Sequence, residues 1–150
     1  DKVQRGVFEP PLAYNFAPAN SVDMVVTFRN IHNWTGNGDD KVKETFKSIV
    51  TALKPGGVFG VVDHRMPAAK PVDPKSGYLH EADVIKMIEG AGFKLVAKSE
   101  INANPKDTKD YSKGVWTLPP TLTEGETDRA KYLEIGEADR MTLRFLKPAK

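Results

Sequence analysis

Residues 39–65 read DDKVKETFKSIVTALKPGGVFGVVDHR, and this stretch decides the fold. Asp39 and Asp40 suit a helix start, where carboxylates meet free N–H groups and the positive end of the dipole. Val42, Phe46, Ile49, Val50 and Leu53 follow at i, i+4, i+7, i+8 and i+11, one apolar stripe along a helix. Lys54-Pro55-Gly56-Gly57 ends it, because Pro halts continuation and Gly permits a left-handed turn. Residues 58–63 (VFGVVD) then form a strand whose consecutive apolar positions call for cover on both faces, as in a parallel sheet.

The flanks extend the same alternation. Upstream, residues 21–28 (SVDMVVTF) carry Met24-Val25-Val26, again the pattern of a doubly covered strand. Residues 29–38 (RNIHNWTGNG) read as a polar loop. Residues 2–8 are a further strand candidate, ended by Pro10-Pro11, and residues 12–19 are irregular. Downstream, residues 64–77 hold Pro67, Pro71 and Pro74 and read as loop. A second helix over residues 81–90 turns Val84, Ile85 and Ile88 inward and stops at Gly90 and Gly92. Residues 94–101 (KLVAKSEI) alternate as a strand, and residues 141–146 (MTLRFL) form the last one. Between these two lies a long insertion, residues 102–138, with Pro105, Trp116 and Pro119-Pro120. A loop of this length in a compact domain is usually a lid or a disordered segment. With no helix evident between them, the last two strands are expected to pair antiparallel.

Composition limits the function. The 150 residues suit one domain, and 22 Lys+Arg against 20 Asp+Glu leave a net charge of +2, too small to indicate nucleic acid. There is no Cys, which excludes disulfides, zinc–thiolate sites and a Cys nucleophile. No apolar run reaches the 18 or so residues of a membrane span. The chain opens at Asp1 rather than Met and reads from its start like the inside of a domain, so a longer natural chain is expected. Compartment and oligomeric state are not set by the sequence: cytoplasmic is the default, and export stays open.

Residues 21–30, 39–65 and 79–101 together resemble the C-terminal part of a class I S-adenosylmethionine-dependent methyltransferase, with KPGG and AGF turns each set between a helix and a strand. FRNIHNW, GVWTLPPTL and IGEADRMTLRFLKP resemble, more narrowly, bacterial predicted methyltransferases of unassigned substrate. The resemblance implies an α/β, Rossmann-like sheet, mostly parallel with an antiparallel last strand, over residues 1–150. It also implies S-adenosylmethionine as cofactor and methyl transfer to an unidentified acceptor. The family's Gly-rich cofactor turn has no counterpart here: Gly36-Asn37-Gly38 follows the wrong strand and reads as a flexible turn. Its first two strand–helix units are thus expected to be missing, with residues 2–8 matching the third strand.

The resemblance implies that Phe28, Arg29 and Asn30 wall the cofactor and that Glu9 lies near the adenine amino group. It turns His32, Asn33 and His64 toward the acceptor. The position of Arg29 to Trp34 past the end of a buried strand supports this, since open α/β sheets bind ligands there. A structural loop with Trp34 packed on the helix is the alternative. His64 in Asp63-His64-Arg65 is a candidate general base, its imidazole titrating near neutrality; a surface pair of Asp63 with His64 or Arg65 is the alternative. His32, His64 and Asp63 lack the i, i+4 spacing of a metalloprotease motif, so no metal site is expected. Tyr111, Trp116 and Tyr132 either shield the site from water or anchor the insertion. His80 reads as a capping or surface residue. The competing functions are a non-catalytic or truncated relative serving as a binding module, and a nucleotide-dependent oxidoreductase, for which no motif speaks.

Overall fold

The computed structural model describes residues 2–149. β1 (Val22–Phe28) leads through a four-residue helix, α1 (Ile31–Trp34), and then α2 (Asp39–Ala52) to β2 (Leu53–Met66). β1 and β2 pair in parallel, with Phe28 opposite Val62. A two-residue strand, β3 (Leu79–His80), lies parallel to the end of β2 and runs into α3 (Glu81–Gly90). After β4 (Lys94–Ser99), residues 100–139 form an excursion that includes α4 (Arg129–Ile135), and β5 (Arg140–Leu146) returns between β2 and β4, antiparallel to both. The sheet order is β1-β2-β5-β4. This is the mixed α/β sheet expected, with its last strand antiparallel.

The core lies on one face of the sheet. Phe46 and Ile49 of α2 and Val84 and Ile88 of α3 pack on Phe59 and Val61 of β2 and on Leu143 and Phe145 of β5, all buried. Burying a side chain of this size contributes about 1.5–3 kcal/mol. Alternate residues of β1 behave differently. Val25 and Thr27 turn toward the core face, whereas Met24, Val26 and Phe28 on the opposite face are each more than half exposed.

Several expectations are corrected. Residues 2–8 form no strand: they have no ladder partner, and Phe8 instead packs edge-on against Phe16 and Trp34. Residues 29–38 are not all loop, since they contain α1 and a short 3-10 turn, Thr35–Asn37. The KPGG turn does not separate helix from strand cleanly. α2 stops at Ala52, Leu53 already pairs with Val22, and the next pairing is Val58 with Met24. Lys54 to Gly57 are therefore bulged out of the ladder, with Gly56 at φ 78°. At its far end β2 continues to Met66, because β5 supplies a partner as far as His64 and β3 pairs with Arg65 and Met66. β4 is shorter than read, stopping at Ser99.

The insertion is docked on the sheet rather than hanging from it. Met66, Tyr78, Val115, Leu118 and Ala138 form a second core, with Tyr111 and Tyr132 packed against it. Polar bonds reinforce this. Asp107 accepts the Tyr78 hydroxyl at 2.9 Å and the Asp139 amide at 2.8 Å, and burial together with the Asp107 charge pushes the Tyr78 phenol up, so it stays a donor. Asp139 accepts from Lys109 at 2.7 Å and Arg65 at 3.1 Å. Burial opposes its charge, but these bonds prevail and hold the carboxyl below its ordinary value. Where the insertion crosses the loop before β3, Gly114 sits at φ 57°, and a Cβ there would lie 2.1 Å from the Ser76 carbonyl oxygen. Gly114→Ala should lower stability by roughly 2–4 kcal/mol, combining backbone strain with overpacking. Gly36→Ala, in open space, should stay within about 0.5 kcal/mol; urea midpoints read both.

Candidate functional site

The site forms where β1 and β2 end. The Arg29 amide donates to the Val62 carbonyl, carrying the ladder one residue past β1. Arg29 itself takes φ 61°, which turns the chain sharply. The Asn30 carbonyl then accepts from the Asn33 and Trp34 amides and starts α1. Ile31 and Trp34 bury into the core, and the intervening His32 is left facing the end of β2.

Asp63 meets it there. Asp63 has no exposed surface, and its Oδ1 lies 2.8 Å from His32 Nδ1. The same oxygen accepts the His64 amide at 2.7 Å, and Oδ2 accepts the His32 amide at 3.2 Å. A carboxylate oxygen only accepts, so the shared proton sits on Nδ1 and the lone pair falls on Nε2. Nε2 has no protein partner among the described residues and belongs to a ring that lines a cavity of about 260 Å³. An imidazole fixed in one tautomer by a buried carboxylate is the arrangement of a general base.

The cavity draws on three parts of the chain. Phe28 to Asn30 form one side and Asn33 its rim. His64 lies opposite, its ring centroid 5.4 Å from that of His32. Trp116 comes from the insertion and meets His32 edge to face at 5.9 Å. Pro119 to Thr121 continue that wall, and Arg140, the ladder partner of His64, closes it. His64 Nδ1 is buried without a partner. Burial, with the nearby His32, Arg140 and Arg29 charges against the opposing pull of Asp63, lowers the His64 pKa to about 4.

The sequence-predicted residues divide accordingly. Phe28, Arg29, Asn30, His32, Asn33 and His64 all border the cavity, whereas Glu9 is exposed and borders neither this cavity nor the one beside it. Asn30 borders both. The sequence reading missed Asp63 as the partner of His32. It also missed Arg140, because the register that sets Arg140 against His64 joins strands far apart in the chain. Arg65 does not pair with Asp63: its guanidinium reaches Glu100, Asp139 and Glu81. His80 Nε2 donates to the Lys70 carbonyl at 2.8 Å, outside the site.

The fold also gathers His32, Asp63 and His64, with one potential ligand atom each within 4.8 Å of one another. Their spacing in sequence does not announce this. Two donors on one ion at ordinary bond lengths lie no more than about 4.2 Å apart. Asp63 is already engaged by three N–H groups, and two guanidiniums border the same space.

The architecture is the Rossmann-like methyltransferase fold, at whose strand ends the cavity lies. Among solved structures it is similar to the 4+2 cyclase SpnF, with TM-score 0.58 and 17% identity over 89% of this chain and 52% of that one. It is also similar to an S-adenosylmethionine-dependent methyltransferase from Methanosarcina mazei (0.55, 10%, covering 89% of this chain and 63% of that one). A third is the 1,6-didemethyltoxoflavin-N1-methyltransferase of Burkholderia thailandensis (0.55, 10%, covering 90% of this chain and 48% of that one). The chain thus spans about half to three fifths of their lengths, and at these identities the likeness concerns the fold. No family model and no curated protein matches the chain. No helix among the described residues is long and apolar enough to cross a membrane.

The lowered pKa of His64 has a consequence for stability. Above pH 6.5 the ring is neutral folded and unfolded, so it costs nothing. As pH falls from 6.5 to about 4, the unfolded chain takes up a proton that folded His64 refuses. Stability should drop by up to about 3 kcal/mol over that window. His64→Gln should therefore lose less melting temperature between pH 7.5 and 4.5 than the unaltered protein; matching acid profiles would contradict the assignment.

Proposed function

We propose that the protein transfers a methyl group from S-adenosylmethionine to a small acceptor held in the cavity beside His32. The observation that carries this reading is the His32–Asp63 pair, opening into a cavity at the ends of β1 and β2 on this fold. Fold alone does not fix a reaction. SpnF bears this architecture and is named a cyclase; the 1,6-didemethyltoxoflavin-N1-methyltransferase was solved with 1,6-didemethyltoxoflavin and S-adenosylhomocysteine bound.

The residues present fit part of the cofactor. Phe28 offers an exposed aromatic face and Asn30 stands between two cavities, which suits a wall between donor and acceptor. Arg29 lies between them. Glu9 is exposed away from both cavities, so this chain offers no adenine contact there. S-adenosylmethionine, when bound, would supply an electrophilic sulfonium methyl with a neutral thioether as its leaving group. His32 Nε2 receives the proton that the acceptor O–H or N–H gives up, and Asp63 steadies the resulting imidazolium. Asn33 and neutral His64 orient the acceptor, and Trp116 excludes water.

Titration calorimetry of the intact natural protein with S-adenosylhomocysteine should show saturable binding; its absence would sink the cofactor assignment. In a screen of phenols and amines for transfer from labelled donor, His32→Ala should lower kcat by about 10²–10⁴. Asp63→Asn should reduce it comparably, since an amide can favour the wrong tautomer. Cofactor affinity should hold in His32→Ala. Binding without transfer to any acceptor would favour a binding module.

A further inference from the structure

The cavity beside His32 is lined by two cationic side chains that methyl transfer alone does not require. Arg29 and Arg140 line it, and no carboxylate does. Arg29 forms no ion pair among the described residues, and its φ of 61° is a conformation uncommon for a residue with a Cβ. A strained cation at a strand end is the kind of feature that clusters at ligand sites. Arg140 gives its two terminal nitrogens to Glu137, both at 3.3 Å. Its Nε–H is buried with no acceptor. Buried donors are seldom left unpaired, and with the terminal nitrogens of the guanidinium fork on Glu137 the Nε–H is the one left to give. Asp63 borders no part of this cavity, although its charge reaches His64 behind the wall, so Arg29 keeps no carboxylate partner of its own among the described residues.

The other walls limit shape. Phe28, Trp116 and Pro119 present flat apolar surfaces, and about 260 Å³ lies just under the usual range for ligand pockets. A single ring suits such a space.

We propose that the acceptor is a small planar carboxylate: one aromatic ring bearing a carboxylate and an ionisable O–H or N–H. Arg140 Nε and Arg29 read the carboxylate, and His32 Nε2 meets the ionisable group. Calling this ligand the acceptor rests on the methyl-transfer reading; the anion site itself does not. The cofactor's methionine end also carries a carboxylate, so the two sources must be separated.

The test uses the intact natural protein and two probes that share a ring and a hydroxyl, 4-hydroxybenzoate and its uncharged methyl ester. Binding is read from Trp116 fluorescence, with Trp116→Phe subtracting the signal of Trp34. The acid should bind about tenfold or more tightly than the ester. Arg140→Gln and Arg29→Gln should each remove that advantage and leave ester binding unchanged. Arg140→Lys, which keeps the charge without the fork, should restore only part of it. Added salt should weaken the acid alone. Equal affinity for acid and ester, or no saturable binding of the acid, overturns the proposal. A parallel titration with S-adenosylhomocysteine separates the sources. Unchanged affinity in Arg140→Gln supports the acceptor assignment, and a loss there assigns the carboxylate to the cofactor and overturns it. Acid binding without any S-adenosylhomocysteine binding removes the methyl-transfer reading and leaves the anion site standing.

Discussion

A carboxylate with no exposed surface and no lysine or arginine bonded to it has to be compensated from within the fold. Asp63 is such a group, and the site is arranged around it. Two of its compensating bonds are backbone amides, those of His32 and His64, and these hold the ends of two neighbouring strands together. The third comes from an imidazole, which is thereby given one tautomer. Removing any of the three would leave charge in an apolar interior at a cost of several kcal/mol. The same requirement that stabilises the strand ends therefore also sets the chemistry of His32.

The insertion answers a different demand. β2 extends past Asp63 to Met66, and Met66 and Tyr78 need apolar cover that α2 and α3 do not reach. Val115 and Leu118 supply it, and the bonds among Asp107, Tyr78 and Asp139 anchor the chain on either side. Trp116, between those two anchors, is left partly exposed over the cavity. Its place beside His32 follows from what its neighbours bury. Tyr111 and Tyr132 pack against the second core, whereas Trp116 lies against His32.

Much of this was legible in residues 21–65 and 79–99, where stripe spacing and buried-type runs announce β1, α2, β2, α3 and β4. The failures have local causes. α1 is a single turn with too few residues for a periodic signal. Residues 2–8 have strand-like composition, but a strand also requires a ladder partner. Gly56 and Gly57 mark a bulge as readily as a helix stop. At the site, His32 and His64 could be paired on paper because both follow parallel neighbouring strands. Asp63 could not be distinguished from a surface partner of Arg65, since that depends on Glu100 and Asp139 claiming the guanidinium. Arg140 required the antiparallel register of β5, a contact between distant parts of the chain.

The tight crossing of Gly114 over Ser76 bears on how a ligand arrives. With a backbone carbonyl where any side chain would have to go, and bonded anchors on both sides, this part of the wall stands in place before binding. Little ordering remains to oppose association. Selectivity then resides in the entrance and the fixed outline rather than in a closing movement. For the acceptor proposed above, binding would then approach a single-step encounter, with related molecules sorted chiefly by how fast they leave.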